Sequence, residues 1–113
     1  MADIEHIEIP TKNIEESMAF YTGAFGWECR KGNDYGFFNS PGGVGGGFDP
    51  TGTPCDKGII PYIAVADIPA ALAGVTAHGG ATVKGKTEIG GGMGFYALFA
   101  DPHGNRLGLW SKE

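Results

Sequence analysis

Gly94-Phe95-Tyr96-Ala97-Leu98-Phe99-Ala100-Asp101-Pro102-His103-Gly104-Asn105-Arg106-Leu107-Gly108-Leu109-Trp110 sets two runs of aromatic and aliphatic residues around a cluster of turn formers. Proline presets one backbone angle, glycine accepts positive φ, and Asp and Asn side chains bond back to the nearby main chain, so the stretch reads as a β-hairpin. The chain carries the same plan earlier, from Tyr35 to Phe48: an aromatic run, a turn at Pro41-Gly42-Gly43, and a glycine-bearing strand.

What precedes each hairpin is also repeated. His6-Ile7-Glu8-Ile9-Pro10 alternates polar and apolar and reads as a half-buried strand. Asn13 caps a helix with Glu16 as partner, Ile14, Met18, Tyr21 and Phe25 share one face, and Gly26 stops it. Extended structure resumes from Trp27 to Arg30. After the turn formers Asp49 to Pro54 the order restarts: an apolar strand from Ile59 to Val65, Asp67 as cap, a stripe of Ile68, Leu72 and Val75, and Gly79-Gly80 as the stop. Ala81 to Val83 is a short strand and Glu88 to Met93 a glycine-rich loop. Counting back from the caps aligns His6 with Ile60, and aligning the turns pairs Pro41 with Pro102 and Gly47 with Gly108. The expected fold is α+β, two tandem βαβββ modules forming a curved, open, barrel-like sheet with helices outside. Residues 1–49 form module one, 50–57 a linker and 58–113 module two. A concave cavity between the sheets is the expected ligand site.

Bulk composition narrows the function. At 113 residues, 42% hydrophobic and 19% charged, the chain makes one domain with an ordinary core. A net charge of −5 with scattered basic residues argues against a nucleic-acid surface. No apolar run reaches the roughly 18 residues of a membrane span, and the amino terminus lacks the basic and apolar segments of a leader. Cys29 and Cys55 read as free thiols, which together with that terminus points to a cytoplasmic protein. The glycine runs 42–47 and 90–92 lack the Lys-Ser/Thr ending and spacing of a phosphate loop. Glycines at 45 and 47 instead let the sheet curve and clear the cavity floor.

The helix with Phe20-Tyr21, Phe25-Gly26-Trp27, the repeated module and the Asp101-Pro102-His103-Gly104-Asn105 turn resemble the vicinal oxygen chelate superfamily. That group includes glyoxalase I, bleomycin-resistance proteins, fosfomycin-resistance enzymes and extradiol dioxygenases. Within it, the glycines at 45–47 and the Gly104 to Trp110 strand are similar to glyoxalase-like proteins related to lactoylglutathione lyase. The resemblance implies a homodimer. It also implies one divalent metal, held by a His on the first strand of each module and a carboxylate on each last strand, a set that suits zinc, nickel, iron or manganese. Carried over, the His positions fall on His6 and on Ile60 (or Pro61 if the register slips), and the carboxylate positions on Gly47 and Gly108. Three of four ligands are missing, so the expectation is that no cofactor is held, with a displaced metal as the alternative.

Strand alternation nominates the rest of the site. Tyr35 and Phe37 face inward from the first hairpin, Tyr96 and Leu98 from the second, and Ile60, Tyr62 and Ala64 from the opposing strand. Arg106 and Trp110 flank Gly108. Each aromatic could equally be plain core. Glu8 is costly to bury unpaired, so it calls for His6, Arg106 or a ligand. His6 and Glu8 could form a metal-free acid–base pair. His78 reads as a solvated residue at a helix end and His103 as a rim residue. Three functions follow: a metal-free small-molecule-binding protein, a lyase or isomerase acting on a carbonyl compound through His6 and Glu8 or a displaced metal, or a structural or regulatory partner whose cavity is vestigial.

Overall fold

Each module is organised from a helix cap. A computed structural model describes residues 1–113. In it Asn13 is extended, with φ −158°, and its side-chain oxygen accepts from the Glu16 amide at 2.9 Å, starting α1 (Ile14–Phe25). The Asn13 amide donates to Thr11 Oγ1 at 3.0 Å, so an upstream hydroxyl, not Glu16, completes the cap. Gly26 closes the helix in the left-handed region, φ 71°, which favours glycine. Asp67 repeats the device for α2 (Ile68–Ala77), accepting from the Ala70 amide at 3.0 Å, with Pro69 in the first turn, where amides have no helical partner.

Eight strands follow the expected order: β1 (Ile7–Pro10), β2 (Glu28–Lys31), β3 (Gly36–Asn39), β4 (Gly46–Asp49), β5 (Tyr62–Ala64), β6 (Ala81–Glu88), β7 (Phe95–Ala100) and β8 (Arg106–Ser111). They make two four-stranded sheets, ordered β1-β4-β3-β2 and β5-β8-β7-β6. β1 runs parallel to β4 and β5 parallel to β8, and the remaining pairs are antiparallel. The duplication is visible in the registers: Glu8 pairs with Gly47, and Tyr62 with Gly108. Two residues upstream of Glu8 and Tyr62 stand His6 and Ile60, so these occupy equivalent places.

Two strands differ from expectation. β5 covers Tyr62–Ala64 and not Ile59 to Val65, because Pro61 has no N–H for a ladder and restricts Ile60 before it; Ile60 therefore lies in the segment leading into β5. β6 runs to Glu88 instead of stopping at Val83. Its pairing shifts by one residue between Thr82 and Lys84 and again between Lys84 and Thr87, two irregularities of the bulge type that interrupt the ladder. Lys84 and Lys86 lie over the Tyr96 and Phe95 rings, 5.0 and 4.5 Å from the centroids, which helps hold the long strand to β7.

Phe20, Tyr21, Phe38, Phe48, Ile68, Val75, Phe99 and Leu109 form the buried core beneath the helices. The helical stripe also includes Ser17 and Phe20, which periodicity alone leaves out. Ser17 is buried because its Oγ bonds to Thr11 Oγ1 at 2.7 Å. The modules are joined at the second hairpin turn. Asp101 is buried and its carboxyl oxygens accept from Tyr21 Oη (3.0 Å), the His103 and Asn105 amides (2.9 and 3.0 Å) and Asn105 Nδ2 (2.9 Å). Asn105 Nδ2 also reaches the Pro10 carbonyl at 2.7 Å. His103 is not a rim residue: it is 8% exposed, and its Nδ1 accepts from the Lys12 amide at 2.9 Å. His78 lies exposed at the end of α2, with its ring packed on Gly23 of α1.

β1 and β5 are the end strands of their sheets and are not hydrogen-bonded to each other. A cavity of about 700 Å³ separates these edges, lined among others by Ile7, Phe25, Trp27, Tyr62, Ile63 and Leu107. No helix is long and apolar enough to cross a membrane.

Candidate functional site

Alternation along the strands sends Glu8, Phe37 and Gly47 to the face turned away from α1. In the second sheet it sends Tyr62, Tyr96, Leu98, Arg106, Gly108 and Trp110 to the face turned away from α2. The opposite faces carry the core residues Ile9, Phe38, Phe48, Ala97, Phe99 and Leu109. The nominated residues therefore share the open side of the molecule.

On the first sheet, Tyr35 is central. Its ring lies over Gly47, where even one added methyl group would overlap it. Its hydroxyl donates to Glu8 Oε1 at 3.0 Å and is 2.8 Å from His6 Nε2. A hydroxyl has one proton, so with that proton on the Glu8 bond the His6 contact requires Nε2–H as donor. The His6 and Tyr35 rings are stacked, 6.2 Å between centroids. Burial, then the hydrogen bond and charge of Glu8, then the charge of Asp49, push the Tyr35 phenol up to about 12. The direct His6–Glu8 pair expected from strand spacing is thus replaced by a relay through Tyr35. Arg30, which sequence reasoning missed, lies 4.3 Å over the Phe37 ring; it pairs with Phe37 across β2 and β3, a register that composition does not reveal.

The second sheet repeats the geometry with different chemistry. The Tyr62 ring covers Gly108 as Tyr35 covers Gly47, and Tyr62 is 50% exposed. Tyr62, Tyr96, Trp110 and Ile89 line an open hollow of about 470 Å³. Trp110 is 37% exposed, and its Nε1–H donates to the Met93 carbonyl at 2.9 Å, tying the Ile89–Gly94 loop to β8. Lys84 Nζ donates to the Tyr96 hydroxyl at 2.6 Å, a second cation missed because β6 was expected to stop before it.

The nominated residues do not converge on a single enclosed chamber within one chain. His6 and Phe37 line a hollow of about 420 Å³. Glu8, Ile60 and Arg106 line a cleft of about 290 Å³. Tyr62 and Ala64 also border the larger cavity between β1 and β5, whose wall is mostly apolar. Leu98 is half-buried beside Gly108.

The residues do not fit the metal set that the resemblance implies. His6 is present, but its counterpart is Ile60, and the two carboxylate positions are glycines under tyrosine rings. Nowhere do three or more His, Cys, Asp or Glu side chains gather closely enough to hold an ion.

Comparison with known proteins gives one family. The model of the Glyoxalase/Bleomycin resistance protein/Dioxygenase superfamily matches residues 3–109. Among solved structures, a glyoxalase/bleomycin resistance protein/dioxygenase family enzyme from Burkholderia phytofirmans PsJN is similar, with TM-score 0.81, 19% identity, and coverage of 99% of this chain and 100% of that one. A glyoxalase/bleomycin resistance protein from Albidiferax ferrireducens T118 is 22% identical with TM-score 0.75, covering 96% of this chain and 98% of its own. The fosfomycin resistance protein FosX from Listeria monocytogenes has TM-score 0.81 at 16% identity, covering 98% of this chain and 93% of that one. A search of curated proteins gives no match. At these identities the solved structures speak for the fold.

Proposed function

Since the chain belongs to the Glyoxalase/Bleomycin resistance protein/Dioxygenase superfamily, we propose that it binds a small, partly aromatic molecule on the open face of its sheets without the metal its relatives' ligand positions would hold. The observation that carries this is the pair of tyrosines over Gly47 and Gly108. A ring now takes the space at each position where a carboxylate would coordinate. Aromatic surfaces with a few polar tips, here Tyr62, Tyr96 and Trp110 beside Lys84, suit ring-containing or amphipathic ligands. A second copy of the chain would cover this face, making the working protein a homodimer. The free thiols Cys29 and Cys55 suit a reducing, cytoplasmic setting.

Trp110 is 37% exposed on the open face while Trp27 is buried, so the part of the quenching that is lost in Trp110→Phe reports on the open face. Phenol and indole derivatives titrated into the protein should quench that fluorescence saturably, equally with and without EDTA, and Tyr96→Ala should weaken the effect at least tenfold. Loss of binding in EDTA, or metal near one equivalent per chain that disappears in His6→Ala, would overturn the reading.

The Tyr35 relay supports a second reading, catalysis on a carbonyl compound. His6, Tyr35 and Glu8 form a chain along which one proton can be given and taken back, the requirement of an isomerase or lyase step. A phenol raised to about 12 is a weak acid that serves as a hydrogen-bond donor, leaving His6 or Glu8 as the base. Turnover that falls at least a hundredfold in Glu8→Gln while ligand binding persists would establish this reading. Equal turnover in that variant would remove it.

A further inference from the structure

We propose that Arg106 anchors a site for a small carboxylate with a short apolar body, in the cleft between β1 and the segment leading into β5. It goes beyond the small-molecule reading above, because this cleft shares no lining residue with the aromatic hollow. The observation is an orphaned donor. Arg106 Nε is buried and has no hydrogen-bond partner, the only buried side-chain nitrogen or oxygen in the chain left so. A guanidinium keeps its charge, and a buried donor without an acceptor is unfavourable, so a missing acceptor is the economical explanation. No carboxylate of the chain supplies it: the one ion pair present joins exposed Lys31 and Glu15. Glu8 and Asp56 line the same cleft, but Glu8 Oε1 accepts from Tyr35 and neither carboxylate bonds to Arg106 Nε.

The cleft is built to hold such a ligand. The Arg106 backbone is fixed by the hydrogen bond that its amide donates to the Cys55 carbonyl at 3.2 Å and by pairing with Ala100 across β7 and β8. Nε and the neighbouring Nη present two parallel N–H groups, the fork that matches the two oxygens of a planar carboxylate. Ile59, Ile60, Pro61 and Leu107 supply an apolar wall, and the volume of about 290 Å³ suits a body of a few carbons. Glu8 and Asp56 line the cleft with Lys57 and Arg106, so its two carboxylates balance its two cations and disfavour a dianion such as phosphate.

The test uses the whole chain, with n-butyrate as probe and butyramide as its neutral match. Titrations are followed by calorimetry and by the ¹⁵N NMR signal of the Arg106 Nε–H group. Butyrate should bind saturably and shift that signal, and butyramide should bind at least tenfold more weakly. Arg106→Gln should weaken butyrate at least tenfold while aromatic quenching of Trp110 persists. Equal binding of butyramide, undiminished butyrate binding in Arg106→Gln, or displacement of butyrate by an equal concentration of sulfate would each overturn the proposal. If Arg106→Gln does not fold, the wild-type comparison of butyrate, butyramide and sulfate decides alone. Aromatic ligands that fail to bind while butyrate succeeds would remove the aromatic reading and leave the anchor standing.

Discussion

Tyr35 carries one proton between two neighbours, and its chemistry has a consequence for stability. Its folded-state pKa of about 12 exceeds the roughly 10 of an unfolded tyrosine, so folding favours the protonated phenol. The corresponding stability is fully present below about pH 10 and is lost as pH rises from there through about 12. Tyr21 acts in the same direction, since burial first, then the charge and hydrogen bond of Asp101, raise it well above the ordinary value. Tyr35→Phe should therefore lose about 0.5–1.5 kcal/mol at pH 8, the scale of its hydrogen bonds. Its stability should then fall less steeply than wild type between pH 10 and 11.5. Urea midpoints measured across that range decide the matter, and equal slopes would remove Tyr35 as a contributor. Alternation along the strand identifies Tyr35 as facing the open side. Its bridge between His6 and Glu8 is illegible in the sequence, because it depends on how β1, β4 and β3 align.

At the scale of elements, neighbouring glycines of β4 do different work. An atom added at Gly46 would overlap the Ile7 carbonyl, main chain of the paired β1 that cannot turn aside. One added at Gly47 would meet the end of the Tyr35 ring, which can swing out if it gives up its bonds to His6 and Glu8. Overpacking typically costs about 1–3 kcal/mol. Gly46→Ala should lie at or above the top of that range and Gly47→Ala near the bottom. Gly108→Ala should cost less still, since half-exposed Tyr62 moves into solvent freely. Chemical unfolding of the three variants tests the ranking, and equal losses at 46 and 47 would contradict it. The glycine run in the sequence suggests close approach here but cannot rank the three. The length of β6 was hidden for a related reason: Lys84, Gly85 and Lys86 look like a strand end until the Tyr96 and Phe95 rings beneath the two lysines are known.

For the whole molecule, the duplication is legible because both modules repeat cap, stripe, stop and hairpin at matching offsets, and the registers Glu8–Gly47 and Tyr62–Gly108 repeat the match in space. How the modules sit together is not legible. Their joint is made by contacts such as Lys12 to His103, Pro10 to Asn105 and Tyr21 to Asp101, which no local pattern announces. The result is a broad, flat body of 45 × 39 × 25 Å, with its nominated ligand residues spread over one open side. Tyr62 (50% exposed), Ile89 (40%), Met93 (61%) and Trp110 (37%) form an apolar group there. Such a group commonly marks an interaction surface. A second copy seated on it would exclude water from the aromatic hollow and bring two half-sites together. Light scattering should then give twice the 11.8 kDa chain mass at micromolar concentration. Tyr62→Glu, which puts a charge at the centre of the contact without entering the core, should yield folded monomers that bind aromatic ligands at least tenfold more weakly. A wild-type monomer that already binds at full strength would show that each chain completes its own site. A Tyr62→Glu dimer would place the subunit contact elsewhere on the fold.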